Sequence, residues 1–239
     1  MRIGTSVLVH KGLAYQSYNW GIFRPLGNVQ GVIDALDEYE CDEIAIIFPT
    51  RNDQSIVSKS NDLDLVKNIS SSSPISIGGG IRSFDDIDYL RDLPLERFIV
   101  SSAAVLNNWK LIEQLKYNFG PQAVQSMLPV KYDLEELYVF NCSTNNFIPI
   151  SKLDLNTISE ISNEVIIYDT NADGLRDQFN FELIYKLRLD PAKTVITGGI
   201  GAKCIKGAEK IGISACMIDN RTLYSENSIN ALKRHARLS

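Results

Sequence analysis

The sequence predicts a single (β/α)8 barrel, or TIM barrel, of the α/β class, built from two related half-barrels. Its length of 239 residues suits this fold, since such barrels usually take about 250 residues as one domain. Short β-rich runs alternate with amphipathic segments, a pattern typical of parallel strands covered by helices. Two sequence patterns also recur half a chain apart, which indicates a duplicated unit. We therefore expect one domain over residues 1–239.

Eight β-rich runs are the predicted barrel strands, and eight is the number that this fold requires. They are Arg2–Val9, Glu43–Phe48, Pro74–Ile77, Arg97–Ser101, Ala123–Pro129, Glu164–Asp169, Thr194–Thr197 and Ala215–Asp219. Helical patterns between them include Val29–Tyr39, Phe84–Arg91, Trp109–Phe119, Phe181–Leu187 and Ala202–Ile211. Because strands and helices alternate, the sheet should be parallel.

The internal repeat is clearest at two glycine-containing strings. Residues 77–82 read Ile-Gly-Gly-Gly-Ile-Arg and residues 197–202 read Thr-Gly-Gly-Ile-Gly-Ala, which places Gly79 and Gly198 119 residues apart. The strand that begins at Glu43 is echoed 121 residues later by the strand that begins at Glu164. The alternative interpretation is a chance likeness between apolar strands.

Two insertions are predicted on the C-terminal face of the barrel, since each follows a strand. Residues 10–27 form a loop insertion rich in aromatic side chains, either a lid or a surface loop held by its own aromatics. Residues 132–151 predict a hairpin insertion, because two β-rich runs flank a Ser-Thr-Asn-Asn turn.

Composition and charge exclude several classes of function. The formal net charge is −5 and no block of Lys or Arg stands out, so nucleic acid is not an expected partner. No apolar run approaches the roughly 20 residues that a membrane helix needs. The four cysteines are widely spaced without a Cys-x-x-Cys motif and there are two histidines. We expect a cytoplasmic protein with reduced cysteines, no metal site and no cofactor.

Glycine turns after the third and seventh strands are the first candidates for a ligand site, because ligands bind at this end of such barrels. Glycine lets backbone N–H groups approach an anion, and the N-terminus of the following helix adds a favourable partial charge. Polar groups after the fourth and eighth strands would complete two pockets. The alternative is that the glycines only permit tight turns. The predicted phosphate-binding residues are Gly79, Gly80, Ser101, Ser102, Thr197, Gly198, Gly199, Asn220 and Arg221.

Four strings carry a resemblance to a known family. They are Ile-Gly-Gly-Gly-Ile-Arg-Ser-Phe-Asp-Asp (77–86), Val-Ser-Ser-Ala-Ala-Val (100–105), Thr-Gly-Gly-Ile-Gly (197–201) and Asn-Arg-Thr-Leu-Tyr (220–224). They resemble the phosphate-binding strings of the histidine-biosynthesis barrels, namely the cyclase subunit of imidazole glycerol phosphate synthase and the phosphoribosylformimino carboxamide isomerase. The resemblance runs along almost the whole chain. It implies a half-barrel duplication and a site for a bis-phosphorylated ligand.

The chain departs from this family where acid/base chemistry is expected. The cyclase resemblance implies one aspartate at the end of the first strand and another on the fifth, and this chain has Leu8 and Leu128 there. Leucine cannot transfer a proton, so the usual cyclisation or isomerisation is not expected. Asp169 and Asp173 remain as weak catalytic candidates. Each is either a general base or a residue that holds a turn through Asx hydrogen bonds.

Four charged residues fall at strand starts, at the opposite mouth of the barrel. They are Arg2, Glu43, Arg97 and Glu164. In the cyclase subunit that the chain resembles, a similar ring gates an ammonia passage from a glutaminase docked at this mouth. The alternative is a salt-bridge cluster that closes the barrel floor.

Three functional hypotheses follow. The first is a cyclase-subunit-like barrel that binds a phosphorylated small molecule and receives ammonia from a glutaminase partner; the resemblance associates such pairs outside histidine synthesis with amidation of polysaccharide sugars. The second is a phosphosugar isomerase or lyase that uses Asp169 or Asp173. The third is a non-catalytic barrel that only binds a phosphorylated ligand.

Overall fold

A computed structural model describes residues 1–18, 21–52, 54–93, 95–218 and 228–237. Eight parallel strands close into a barrel, because the first strand pairs with both the second and the last barrel strand. In barrel order they are β1 (Arg2–His10), β4 (Ile44–Ile47), β5 (Ile75–Gly78), β6 (Arg97–Val100), β7 (Val124–Asp133), β10 (Glu164–Asp169), β11 (Thr194–Thr197) and β12 (Ala215–Ile218). The predicted (β/α)8 barrel is confirmed.

Helices cover the outside of the barrel between successive strands. They are α1 (Val29–Glu38), α2 (Ser60–Lys67), α3 (Phe84–Leu90), α4 (Ser102–Val105), α5 (Trp109–Phe119), α6 (Leu155–Ile161), α7 (Glu182–Leu187), α8 (Ala202–Lys210) and α9 (Ser228–Arg237). Side-chain caps start several of them; the amide oxygen of Asn28, for example, accepts from the N–H of Gly31 at the start of α1. In the described part of the chain, no helix has both the length and the apolar character that crossing a bilayer requires.

Two apolar layers follow from the alternation of side chains along each strand. The larger layer lies between the sheet and the helices and includes Val7, Ile46 and Phe98. The smaller layer fills the barrel interior. Its members are Leu8, Ala45, Ile47, Ile99, Met127, Ile166, Val195, Ala215 and Met217. Because neighbouring residues of a strand point to opposite faces, the sequence position of a residue decides which of the two layers it joins.

The segment 10–27, predicted as a loop insertion, contains two antiparallel strands, β2 (Leu13–Tyr18) and β3 (Ile22–Asn28). Strand β2 folds back on the end of β1, with His10 opposite Leu13. The turn between them has positive φ at Lys11 (49°) and Gly12 (80°), the conformation of a two-residue hairpin turn. The buried carboxylate of Asp62 accepts from both of these N–H groups. The described part of this segment therefore consists of two strands and a tight turn, where the sequence predicts a loop.

A second hairpin extends β7 above the same face. It consists of β8 (Glu136–Asn141) and β9 (Asn146–Pro149), antiparallel to each other, and β8 pairs with the end of β7. These strands lie within the segment 132–151, where the sequence predicts a hairpin insertion. The backbone N–H of Asn52, in the loop after β4, donates to the carbonyl oxygen of Cys142 at 3.1 Å. The hairpin is therefore fastened to a neighbouring loop.

The half-barrel repeat is visible in the packing of its glycines. Gly79 and Gly198 both have positive φ, 99° and 91°. A Cβ added at Gly79 would overlap the carbonyl oxygen of Phe48, and one added at Gly198 would overlap that of Asp169. Phe48 directly follows β4 and Asp169 ends β10, the second strand of each half, so the repeat-related glycines make the same close approach twice.

Replacing Gly198 with alanine should lower the free energy of unfolding by about 2–4 kcal/mol, because alanine adds both backbone strain and overlap with a carbonyl. Urea denaturation followed by circular dichroism measures this. The matched control is Gly31→Ala in α1, where an added Cβ meets nothing within 4 Å and helix propensity favours alanine. Equal stability of Gly198→Ala and wild type would contradict the close approach.

Candidate functional site

A cavity of about 620 Å³ opens at the C-terminal edge of the barrel. This volume is in the range of small-molecule sites, roughly 300–1,000 Å³. Its wall is built from the ends of β4, β5, β6, β7 and β10, and the β8–β9 hairpin covers one side through Phe140, Cys142, Asn145 and Phe147. The cavity thus lies over β4, β5 and β6 of the first half of the barrel and over β7 and β10 of the second half.

The structure brings part of the predicted phosphate-binding set together in this cavity. Gly79, Gly80, Ser101 and Ser102 all line it. These four residues therefore lie along one cavity, and their role in phosphate binding stays a prediction.

Two of the second-half residues line a narrow crevice that adjoins the cavity and shares Ile47, Met127, Tyr168 and Asp173 with it. Thr197 and Gly198 border it together with Leu8 and Asp173. Gly199 is packed so that a Cβ there would meet the carbonyl oxygens of Ala172 and Leu175. The remaining members of the predicted set, Asn220 and Arg221, lie outside the described residues.

The helix N-termini behind the glycine turns already hold carboxylates. The side chain of Asp86 accepts from the N–H groups of Arg82 (2.9 Å) and Ser83 (2.8 Å) at the start of α3. Asp177 accepts from the N–H groups of Lys203 (2.7 Å) and Cys204 (3.2 Å) in α8. Carboxylates at these positions offset the partial positive charge of a helix N-terminus. Some of the N–H groups at these two N-termini, where the sequence predicts anion binding, are therefore already used by carboxylates of the protein.

Three cationic residues lie at the cavity. Arg51, Arg82 and Lys131 line the cavity, and Asp173 is the carboxylate among its described lining residues. The cavity therefore carries an excess of positive charge in a chain whose formal net charge is −5. Arg51 follows β4 and Lys131 belongs to β7. Arg82 was not singled out, although it lies in the glycine string that the sequence identified.

The two leucines that replace the expected aspartates lie on opposite sides of the sheet. Leu8 belongs to the interior layer, as predicted for the end of β1. Leu128 belongs to the outer layer under the helices, so its placement at the site was wrong. The interior residue is Pro129, which lines the cavity and pairs in register with Tyr168 of β10. A proline side chain also has no proton to transfer, so the interior of β7 still lacks an acid or base at this level.

Asp169 and Asp173 have different surroundings. Asp169 is buried, and its two carboxylate oxygens accept from the N–H groups of residues 171, 172 and 180. Burial raises the pKa of Asp169, partly opposed by these backbone hydrogen bonds. This is the Asx turn that the sequence offered as the alternative to catalysis. Asp173 lines both the cavity and the crevice, so it is the one of the pair that borders the ligand space.

At the opposite mouth, the four predicted charged residues form one connected network. Arg2 donates to Glu43 (3.2 Å) and Glu164 (2.5 Å), and Arg97 donates to Glu43 (3.2 Å). Gln125 and Ser214 complete it by donating to Glu164 at 2.9 and 2.6 Å. The arginine side chains are 34% and 26% exposed, whereas the glutamates are 1% and 7% exposed. The arginines therefore face the outer opening and the carboxylates face inward.

The pKa values of the two glutamates are shifted in opposite directions. Burial raises the pKa of Glu43, although Arg2 and Arg97 oppose this. Burial would also raise the pKa of Glu164, but hydrogen bonds from Ser214, Arg2 and Gln125 outweigh it and the pKa is lowered. Glu164 therefore stabilises the folded state most when it is ionised.

The protein is a closed (β/α)8 barrel. It has a cavity of small-molecule size at its C-terminal edge and a charged network at its floor. Residues 29–227 match the family of histidine biosynthesis proteins, and the chain belongs to this family. It is 24% identical over 221 residues to the imidazole glycerol phosphate synthase subunit HisF of Dictyoglomus turgidum, covering 90% of this chain and 86% of the relative.

Two further relatives are similar to this chain. A putative imidazole glycerol phosphate synthase subunit HisF of Leptospira interrogans is 23% identical over 226 residues, which covers 90% of this chain and 87% of the relative. A phosphoribosyl imidazole-4-carboxamide isomerase of Clostridium novyi is 30% identical over 162 residues, covering 64% of this chain and 63% of the relative. The chain is thus similar to both branches of the family that the sequence strings resemble.

Replacing Glu164 with glutamine should lower the free energy of unfolding by about 2–3 kcal/mol at pH 7, because Arg2 loses one of its two anionic partners and keeps only Glu43. The folded-state pKa of Glu164 lies below its unfolded value. The contribution of Glu164 to the free energy of unfolding is therefore present above about pH 4.5 and is lost as the pH falls further. Urea denaturation at several pH values should show wild type and Glu164→Gln converging in acid. The exposed Glu160→Gln on α6 is the control, and a pH-independent difference would contradict the assignment.

Proposed function

We propose that this chain is a cyclase-subunit-like barrel that holds a phosphorylated small molecule at its C-terminal face and receives ammonia from a glutaminase subunit at its N-terminal mouth. The observation that carries this proposal is the floor network of Arg2, Glu43, Arg97 and Glu164. Its arginines are part-exposed at the mouth, where a partner can reach them. Membership of the histidine-biosynthesis family and similarity to synthase subunits support it.

The barrel interior offers ammonia a suitable route. Directly above the floor lies the apolar interior layer, and three of its members, Ile47, Ile99 and Met127, also form the wall of the cavity. Neutral ammonia crosses an apolar layer at lower cost than ammonium or other ions, because a charge without partners is expensive to bury. The apolar layer would thus pass ammonia while restricting the entry of ions.

The phosphorylated ligand is proposed for the cavity rather than for the crevice. Gly79, Gly80, Ser101 and Ser102 line the cavity together with the cationic residue Arg51. Backbone N–H groups, hydroxyls and arginine are the donors that phosphate oxygens use in proteins. With Leu8 and Pro129 at the interior positions, proton transfer from those two positions is not part of the proposed chemistry.

The test is binding to a glutaminase subunit from the same genome, measured by calorimetry, together with steady-state glutamine hydrolysis. We expect wild type to bind and to raise glutamine turnover. Arg97→Ala should weaken binding roughly tenfold, since a charged contact at an interface is removed. Lys203→Ala, exposed at the other end of the barrel in α8, should change nothing. The proposal would be contradicted if wild type neither binds the glutaminase nor stimulates it.

A second candidate function is an isomerase or lyase acting on a phosphosugar, with Asp173 as the general base. It is favoured by the position of Asp173, which borders both the cavity and the crevice. A ligand that spans the two would place its central atoms near this carboxylate.

Replacing Asp173 with asparagine should reduce kcat by about a hundredfold or more if this carboxylate moves a proton. The assay is turnover of a bis-phosphorylated ribosyl intermediate, followed by chromatography. Asp64→Asn, exposed on α2, is the matched control. Absence of turnover in wild type, or full activity in Asp173→Asn, would remove this candidate.

A further inference from the structure

Gln125 belongs to the floor network, although it is not one of the four charged residues that the family resemblance implies at this mouth. It lies on β7, in register with Ile99 of β6 and Glu164 of β10, and its side chain is fully buried. Met127, two positions further along β7, belongs to the interior layer. Because residues two apart on a strand share a face, Gln125 also points into the barrel. A buried amide therefore lies between the charged floor and the apolar layer.

The contact with Glu164 determines which end of this amide is left over. The Nε2 atom of Gln125 donates to Oε2 of Glu164 at 2.9 Å. The pKa of Glu164 is lowered, so this carboxylate is ionised at neutral pH and can only accept; the amide nitrogen must face it and the amide oxygen must face away. Among the described residues, the amide oxygen is buried without a hydrogen-bond partner. Because a buried acceptor without a donor is unfavourable, this position favours a ligand that donates.

Glu43 offers a second acceptor of the same kind. Its Oε2 atom accepts from Arg2 and from Arg97, both at 3.2 Å, whereas Oε1 is buried with no partner in the described part of the chain. Gly4 makes room for this side chain, since a Cβ there would lie 2.5 Å from Cγ of Glu43. Burial raises the pKa of Glu43, and a cationic donor at Oε1 would oppose this by stabilising the carboxylate.

These two oxygens are the ends of one chain of hydrogen bonds across the barrel interior. Arg2 joins Glu43 to Glu164, and Glu164 is joined to Gln125. An eight-stranded barrel is just wide enough for its side chains to fill the interior, so small side chains leave space. Small residues occupy neighbouring interior positions, namely Gly4, Ala45, Ser76 and Ala215. A small ligand that donates to both ends would close the chain into a ring.

The charges around this position favour a cation. The side chains of Arg2 and Arg97 are 34% and 26% exposed, whereas those of Glu43 and Glu164 are 1% and 7% exposed. Solvent therefore screens the arginines more than the glutamates, and the inner side of the network is negative. Ammonium carries a positive charge and four N–H donors and has no acceptor. A water molecule can also donate twice, but it is uncharged and its oxygen needs donors of its own.

We propose that Glu43 and Gln125 form a binding site for ammonium inside the barrel floor, where Oε1 of each side chain accepts an N–H of the same ion. The inference rests on the proposed function, because it names the point on the ammonia route at which the nitrogen is held below the apolar layer. Gln125 determines the specificity of this site. With an apolar residue in its place, the floor keeps its salt bridges and loses the site.

The experiment compares melting temperatures of the purified full chain, without any glutaminase, in ammonium chloride and in potassium chloride. Potassium resembles ammonium in size and charge but has no hydrogen to donate. Because a ligand of the folded state raises the melting temperature, wild type should melt about 2–4 °C higher in roughly 0.2 M ammonium chloride than in the same concentration of potassium chloride. Gln125→Leu should lose most of this difference. The matched control is Ser214→Ala, which also removes a hydrogen bond from Glu164 but leaves both acceptors, and it should keep the difference.

The outcomes separate this inference from the proposed function. If wild type melts at the same temperature in the two salts, the barrel holds no ammonium and the inference is wrong. If Gln125→Leu keeps the difference, the assignment of Gln125 is wrong. Should Gln125→Leu fail to fold, Glu43→Gln replaces it, and this variant should also lose the difference because the carboxylate charge is gone. A wild-type barrel that binds a glutaminase but shows no ammonium effect would lose this site and keep the proposed function.

Discussion

Closure of eight parallel strands is the constraint on which the other features of this protein depend. It sends alternate residues of every strand either into the barrel or under the helices. Along the interior, this produces charged residues at the floor, an apolar layer at mid-height that includes Leu8, and a cavity at the top. The floor and the cavity therefore lie at the two ends of one barrel interior.

The sequence predicted the barrel because strand–helix alternation and a repeat of this length are strong signals. The floor charges were also predictable, since residues at strand starts reach the same mouth whatever the loops do. Leu128 was placed wrongly by one residue, and a shift of one residue exchanges the inner and outer faces of a strand. The register between β7 and β10 shows which residue of β7 faces the barrel interior. Pro129 lies opposite Tyr168, just as Gln125 lies opposite Glu164. Such pairing cannot be read from one strand alone.

The candidate site was predicted less completely because its wall comes from several loops. Asp62 fixes the β1–β2 turn from 50 residues away, and Asp177 caps α8 from a different loop. No local pattern reveals either contact. Likewise, the pairing of Arg51 and Lys131 with hairpin aromatics depends on how the β8–β9 hairpin bends over the barrel. Sequence motifs located the glycine turns, and only the packed structure could show which cations join them.

The floor network also has a kinetic consequence. Arg2 contacts Glu43, Glu164 and Ser214, and β1 pairs with β12, at the other end of the chain. Contacts between such distant residues require the closure of very long loops, so they form after local strand–helix units have assembled. Interactions that are absent from the folding transition state act mainly on the rate of unfolding. The floor network therefore slows unfolding of the barrel and contributes little to its folding rate.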